Sequence, residues 1–159
     1  MSVGSYVIRG GTAGRERLRL LSRILRPQTL DLFRKAGLAE GVNCLDIGCG
    51  GGDASFEMAR IVGPSGLVLG IDLDDEKLAL ARAEAAELGL SNVEFRHADA
   101  MDPSAGRERF GFVFARQLLC HVADPAGVIR QMLDHAAPGG ILAIEDIDFR
   151  GHFCWPPCP

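Results

Sequence analysis

Cys44-Leu45-Asp46-Ile47-Gly48-Cys49-Gly50-Gly51-Gly52-Asp53 is the stretch on which the fold turns. A four-residue, largely apolar run leads straight into a turn made almost wholly of glycine, and helix-forming residues follow from Asp53 to about Val62. A short apolar run bounded by glycines reads as a buried strand, and glycines suit a tight turn that a ligand must approach closely. Working outward, Gly63-Pro64-Ser65-Gly66 turns the chain into a second strand, Leu67 to Asp72. An Ala- and Glu-rich helix from about Glu76 to Leu88 stops at Gly89, and Val93 to His97 reads as a third strand. Phe110 to Ala115 is a fourth strand. Asp124-Pro125 caps and opens a further helix, and Pro138-Gly139-Gly140 turns into a fifth strand, Ile141 to Asp146. Strands and helices alternating at this spacing predict an α/β fold: a Rossmann-like, doubly wound parallel sheet of about five strands with helices on both faces.

Upstream of this unit the first ten residues read as an arm. A helix is expected from Thr12, with Leu18, Leu21 and Leu25 at helical spacing. It is expected to break at Pro27, which starts a second short helix that ends near Ala36 before Gly37. The chain therefore divides into an arm with its helices (1–40), an α/β domain (41–150) and an irregular tail (151–159).

Composition narrows the function classes. With 159 residues, 47% hydrophobic and 24% charged, the chain suits one globular domain and excludes collagen-like, mucin-like and wholly disordered readings. No apolar run is long enough to cross a bilayer, and the first residues lack a signal-peptide pattern. Five cysteines, an odd number, fit reduced thiols better than a disulfide framework, so a cytoplasmic location is expected. Net charge is −4, which argues against a general nucleic-acid partner. The charge is uneven: residues 1–40 carry eight basic groups against Glu16, Asp31 and Glu40. Such an arm suits either an anionic partner or, more plainly, the solvated face of an amphipathic helix.

The ends of parallel strands are where an open sheet binds ligands, so the turn after the first strand is the place to look for chemistry. It is not Gly-x-Gly-x-x-Gly, since the sixth position is Asp53, and no Lys-Ser or Lys-Thr follows to make a P-loop. Asp46, just before the turn, would repel a pyrophosphate but suits a ligand that carries an ammonium and a sulfonium. The electrostatics favour S-adenosylmethionine over a nicotinamide dinucleotide.

The same residues resemble the class I S-adenosylmethionine-dependent methyltransferases, and the resemblance continues in order along the chain. Gly70-Ile71-Asp72 is similar to the family's second-strand motif, whose acidic residue accepts hydrogen bonds from the ribose hydroxyls; His97-Ala98-Asp99-Ala100 is similar to the third-strand motif that reads the adenine. Phe110 to Arg116, His121-Val122-Ala123-Asp124-Pro125 and Ala137 to Leu142 match the later segments, and Tyr6 to Gly11 with Arg15-Glu16-Arg17-Leu18 resembles the lead-in of the ubiquinone/menaquinone-biosynthesis type. The resemblance implies strand order 3-2-1-4-5, an N-terminal segment that covers the cofactor, and a small-molecule methyl acceptor. It implies cofactor contacts at Tyr6, Asp46, Gly48, Gly50, Asp72, Leu73, Asp99, Ala100 and Arg116. The family's last two strands have no counterpart after Asp146, so the chain is expected to be shortened there, with a fifth-strand edge that a second copy could pair to form a homodimer.

Each residue also has a plainer reading. Asp46 and Asp72 could be helix-capping or ion-paired carboxylates, Asp99 competes with the local turn at Asp102-Pro103, and Leu73 could be core. His121 is the one acid–base candidate, by virtue of its near-neutral titration, although Leu118, Leu119 and Val122 around it suggest a packed core histidine on a helix. His152, Cys154 and Cys158 have poor spacing for a metal, and none is expected. The competing function is a non-catalytic or shortened cofactor-binding module that acts through a partner or dimer; an NAD-dependent oxidoreductase must explain away Asp46.

Overall fold

A computed structural model describes residues 11–101, 108–148 and 150, with side chains from Arg19 onward. Helix α1 (Gly11–Ala36) leads into strand β1 (Cys44–Ile47) and α2 (Asp53–Val62). Then come β2 (Val68–Asp72), α3 (Asp75–Glu87), β3 (Val93–His97), β4 (Phe110–Arg116), α4 (Pro125–His135) and β5 (Ala136–Glu145). The five strands form one parallel sheet in the order β3-β2-β1-β4-β5. This is the order the resemblance implied. Because β1 lies at the centre, all four of its residues are buried, and it reads as a continuous run rather than an alternation.

The two faces of the sheet bury separate cores. Cys44, Val68, Phe112 and Phe114 pack with Phe33 of α1 and Ala54, Met58, Ala59 and Val62 of α2. Leu45, Ile47, Leu69, Ile71, Val113 and Ala115 pack on the opposite side with Val128 and Met132 of α4. Strict alternation along β4 would put Phe110 with Phe112 and Phe114. It packs instead with the α4-side group, because the β4–β5 register shifts between Phe110 and Phe112. The shift has its source in β5: Ala136 pairs with Phe110 and Ile141 with Phe112, so residues 137–140 leave the ladder. Pro138-Gly139-Gly140, expected as a turn before the strand, is thus an irregularity within it.

A second departure concerns α1. Pro27 lies inside one continuous helix instead of separating two. Proline removes one helical hydrogen bond and crowds the preceding turn, which disfavours such a helix in isolation. Here the segments on both sides of it are anchored to the body. Phe33 is fully buried against Phe112 and Phe114, with edge-on ring contacts at centroid distances of 5.8 and 4.9 Å. Before the proline, Arg26 Nε donates to Glu57 of α2 at 3.0 Å, and Arg19 pairs with Glu84 of α3 at 3.0 Å. These pairs are exposed, so each contributes little alone, and the buried phenyl ring is the main anchor.

Phe33→Ala is expected to cost about 3–5 kcal/mol, since it removes a wholly buried ring. Ile24→Ala, on the exposed side of the same helix, should change stability by no more than about 0.5 kcal/mol. Denaturant unfolding of the two variants measures both; equal effects would show that α1 is not docked through Phe33.

Candidate functional site

The carboxyl ends of β1, β2 and β4 open into a cleft of about 340 Å³, at the lower end of the range for small-molecule sites. Its floor is the glycine turn. Gly48, Gly50 and Gly52 all have positive φ, at 72°, 55° and 83°. At Gly48 a β-carbon would come within 2.9 Å of Leu118, and at Gly52 within 2.7 Å of the Phe95 ring. The turn therefore needs glycine at these two positions both for its conformation and for its packing.

Asp46 is 2% exposed yet lines the cleft. Its position in β1 puts its side chain on the α2 side, where Ser55 donates a hydrogen bond to Oδ2 at 2.6 Å. Among the described residues none donates to Oδ1. Burial pushes the Asp46 carboxyl up to about 6; the Ser55 hydroxyl and the Arg116 charge pull it down, and Asp72 and Asp53 push it further up. Asp72, at the end of β2, accepts from the Gly50 amide at 2.8 Å through Oδ2 and from the Asp74 amide at 3.0 Å through Oδ1. Each of its oxygens keeps a lone pair for a further donor.

The roof is α1, through Leu21, Ser22 and Leu25. Arg116, at the end of β4, reaches up to it: Nη1 donates to Thr29 Oγ1 and Nη2 to Ser22 Oγ, both at 3.3 Å. Buried Thr29 in turn donates to Glu145 of β5 at 2.6 Å. This polar chain ties α1 to the ends of β4 and β5 across the top of the site.

The cleft brings together Asp46, Gly48, Gly50, Asp72, Arg116 and His121. Leu73 is not in its wall; it is 57% exposed, since the chain has left the sheet at Asp72. Asp99 accepts from the Met101 amide at 2.8 Å, a local turn, and Ala100 packs partly buried on the α4-side core. Tyr6, like His152, Cys154 and Cys158, lies outside the described residues. His121 is corrected in its setting: it is exposed at the rim of the cleft, in the single tight turn Leu119–His121, instead of packed on a helix. Sequence reasoning passed over Gln117, Lys77, Ile147 and the α1 residues of the wall. Gln117 has φ 52°, unusual outside glycine, and its amide donates to the Glu145 carbonyl at 2.8 Å; no sequence signal marks it.

The thiols nearby are protonated near neutrality. Burial pushes Cys44 up to about 12 and raises Cys49 well above the ordinary range, so neither is a nucleophile as it stands. Among the described residues no group of three or more His, Cys, Asp or Glu side chains is arranged to hold a metal. No helix among them is long and apolar enough to cross a membrane.

Residues 38–154 match a family described as a methyltransferase domain. The chain belongs to that family. A demethylmenaquinone methyltransferase of Listeria monocytogenes serotype 4a (strain HCC23) is 36% identical over 121 residues, which cover 76% of this chain and 50% of the relative. A ubiquinone biosynthesis O-methyltransferase of Shewanella sp. (strain ANA-3) is 35% identical over 126 residues, 79% of this chain and 52% of the relative. The chain thus spans about half the length of these curated relatives. A crystal structure of a SAM-dependent methyltransferase from Aquifex aeolicus superposes with a TM-score of 0.72 at 26% identity, covering 81% of this chain and 69% of that one. The lining of the cleft fits a ligand that carries a cationic group and a vicinal diol. Asp46 offers a buried carboxylate oxygen with no described donor, Asp72 has acceptor capacity to spare, and the glycine turn admits close approach.

The Asp46 environment carries a stability consequence. Its carboxyl binds a proton more tightly in the fold than at its ordinary value of 3.8. The contribution of the protonated form is complete below about pH 3.8 and is lost as pH rises through about 6, on the order of 3 kcal/mol. Asp46→Asn should therefore raise the melting temperature of the ligand-free protein at pH 7.5 and flatten its pH dependence between pH 4 and 6. Thermal melts across that window check it; an unchanged slope would show that another group is responsible.

Proposed function

We propose that the chain binds S-adenosylmethionine in the β1–β2–β4 cleft and transfers its methyl group to a small-molecule acceptor. The observation that carries this reading is the pair of carboxylates, Asp46 and Asp72, on either side of a positive-φ glycine turn. Two negative groups there oppose a pyrophosphate, whereas one suits a cationic end and the other a vicinal diol. When bound, S-adenosylmethionine supplies a methyl group already activated on a sulfonium.

The residues of the chain then bind, orient and exclude water. Asp46 balances positive charge through Oδ1, and Asp72 accepts from the two ribose hydroxyls. Arg116, pinned to Ser22 and Thr29, fixes the roof and draws the Asp46 carboxyl toward its ionised form. Leu21, Leu25 and Ile147 give the cleft an apolar wall, which favours an acceptor with an apolar ring face. The quinone-pathway names of the relatives agree with that class. Most of the rate then comes from alignment of the acceptor in a water-poor site. His121, at the rim, is placed to take a proton from an acceptor that arrives protonated.

Four basic groups of α1 support an internal role more than a nucleic-acid surface: Arg19 and Arg26 pair with Glu84 and Glu57, and Arg34 and Lys35 pair with Asp31. The free Cys44, Cys49 and Cys120 suit the reducing cytoplasm, which we propose as the site of action.

Calorimetric titration with S-adenosylhomocysteine and, separately, NADH tests the reading. Micromolar binding of the first alone is expected. Asp72→Ala should weaken it at least about 100-fold, the cost of two hydrogen bonds to a charged group. Binding of NADH alone, or indifference to Asp72→Ala, would overturn it.

A further inference from the structure

Ser55 is the third residue of α2 and is fully buried. A serine inside a helix commonly returns its hydroxyl to the carbonyl one turn back. This one instead reaches out of its helix to the central strand and donates to Asp46 Oδ2 at 2.6 Å. The distance is in the range of a short, charge-assisted O–H···O⁻ bond. The bond leaves Oδ1 as the oxygen for which no described residue provides a donor, on a carboxylate that lines the cleft. A carboxylate held by one oxygen has a fixed rotamer, so the other oxygen is presented in one direction.

We infer that Ser55 is the positioning residue of the cofactor site: its hydroxyl holds the Asp46 carboxylate so that Oδ1 faces the cationic end of the ligand. This rests on the cofactor reading above and deepens it. No contact of Ser55 with the ligand is required; it acts through Asp46. The groups that set the charge state of Asp46 come from every element around it. Ser55 of α2 and Arg116 of β4 favour the ionised form, and Asp72 of β2 and Asp53 of α2 oppose it. Lys77 of α3 lies in the same cleft wall, as does His121. Among the favourable partners, Ser55 makes the direct hydrogen bond.

Ser55→Ala, Ser55→Cys and Ser55→Thr separate this role from simple packing. The Asp46 carboxyl is followed in the ligand-free protein by carbon-detected NMR titration, and S-adenosylhomocysteine affinity is measured from pH 5 to 8.5. In the wild type, binding should strengthen as pH rises through about 6 and then level off. Ser55→Ala should raise the Asp46 midpoint by about one unit and weaken binding at pH 7 about tenfold, the loss of one hydrogen bond to a charged group. Ser55→Cys keeps the volume with a poorer donor and should shift the midpoint in the same direction, which serves should the alanine variant not fold. Ser55→Thr keeps the hydroxyl and should leave the midpoint in place. A folded alanine or cysteine variant with the wild-type midpoint would overturn the inference, as would a shift in the threonine variant equal to that in alanine. If the midpoints move as expected and the wild type binds no S-adenosylhomocysteine, the cofactor reading fails and the Ser55–Asp46 link stands.

Discussion

The burial of one carboxylate at the centre of the sheet constrains everything around it. Asp46 sits in β1 with both flanking strands paired to it and α2 lying across it, at 2% exposure. A charge so placed is costly unless partners meet it. The structure supplies Ser55 from the helix above and the positive field of Arg116 from the neighbouring strand, yet burial still prevails and pushes the carboxyl up to about 6. A residue that disfavours the fold in this way persists where it gains something from a ligand. The same burial that weakens the fold strengthens the attraction for a cation, because few water molecules compete for it.

The second constraint follows from the first. A cationic ligand on Asp46 would lie under α1, and α1 is held there by two unlike anchors. Phe33 is locked in the core beyond Pro27, with Thr29 joined there to Arg116 and Glu145, whereas the segment before Pro27 depends on exposed ion pairs and on the Ser22–Arg116 bond. Arg116 belongs to both systems: it donates to α1 and its charge acts on Asp46. The placement of the roof and the electrostatics of the floor are therefore linked through one guanidinium.

Much of this was legible in the sequence, and the limits were physical. Strands β1 and β3 and helix α2 have the bounds expected from apolar runs closed by glycine or by a change of period. The cap at Asp124, whose side chain accepts from the Gly127 amide at 2.8 Å, is where the Asp-Pro pair put it. What a local reading missed depends on distant partners. Pro27 marks a break by its own chemistry, and the contacts that carry the helix through it come from distant residues: Phe112 and Phe114 after the proline, Glu57, Glu84 and Arg116 before it. The Thr29–Glu145 bond joins residues 116 apart. Gln117 adopts positive φ with no residue-type signal, and the Phe110 parity change follows from extra residues in the partner strand. Leu73 is 57% exposed just beyond the end of β2, outside the lining of the cleft.

The function of the cleft turns on how the two carboxylates engage one ligand. The most direct measurement is a crystal structure of the protein soaked with S-adenosylhomocysteine. Density is expected in the cleft, with the ribose hydroxyls on Asp72, the amino group on the Asp46 side beneath α1, and an intact Ser55–Asp46 bond. Density elsewhere, or a ligand in the cleft whose ribose avoids Asp72 and whose amino group points away from Asp46, would contradict it.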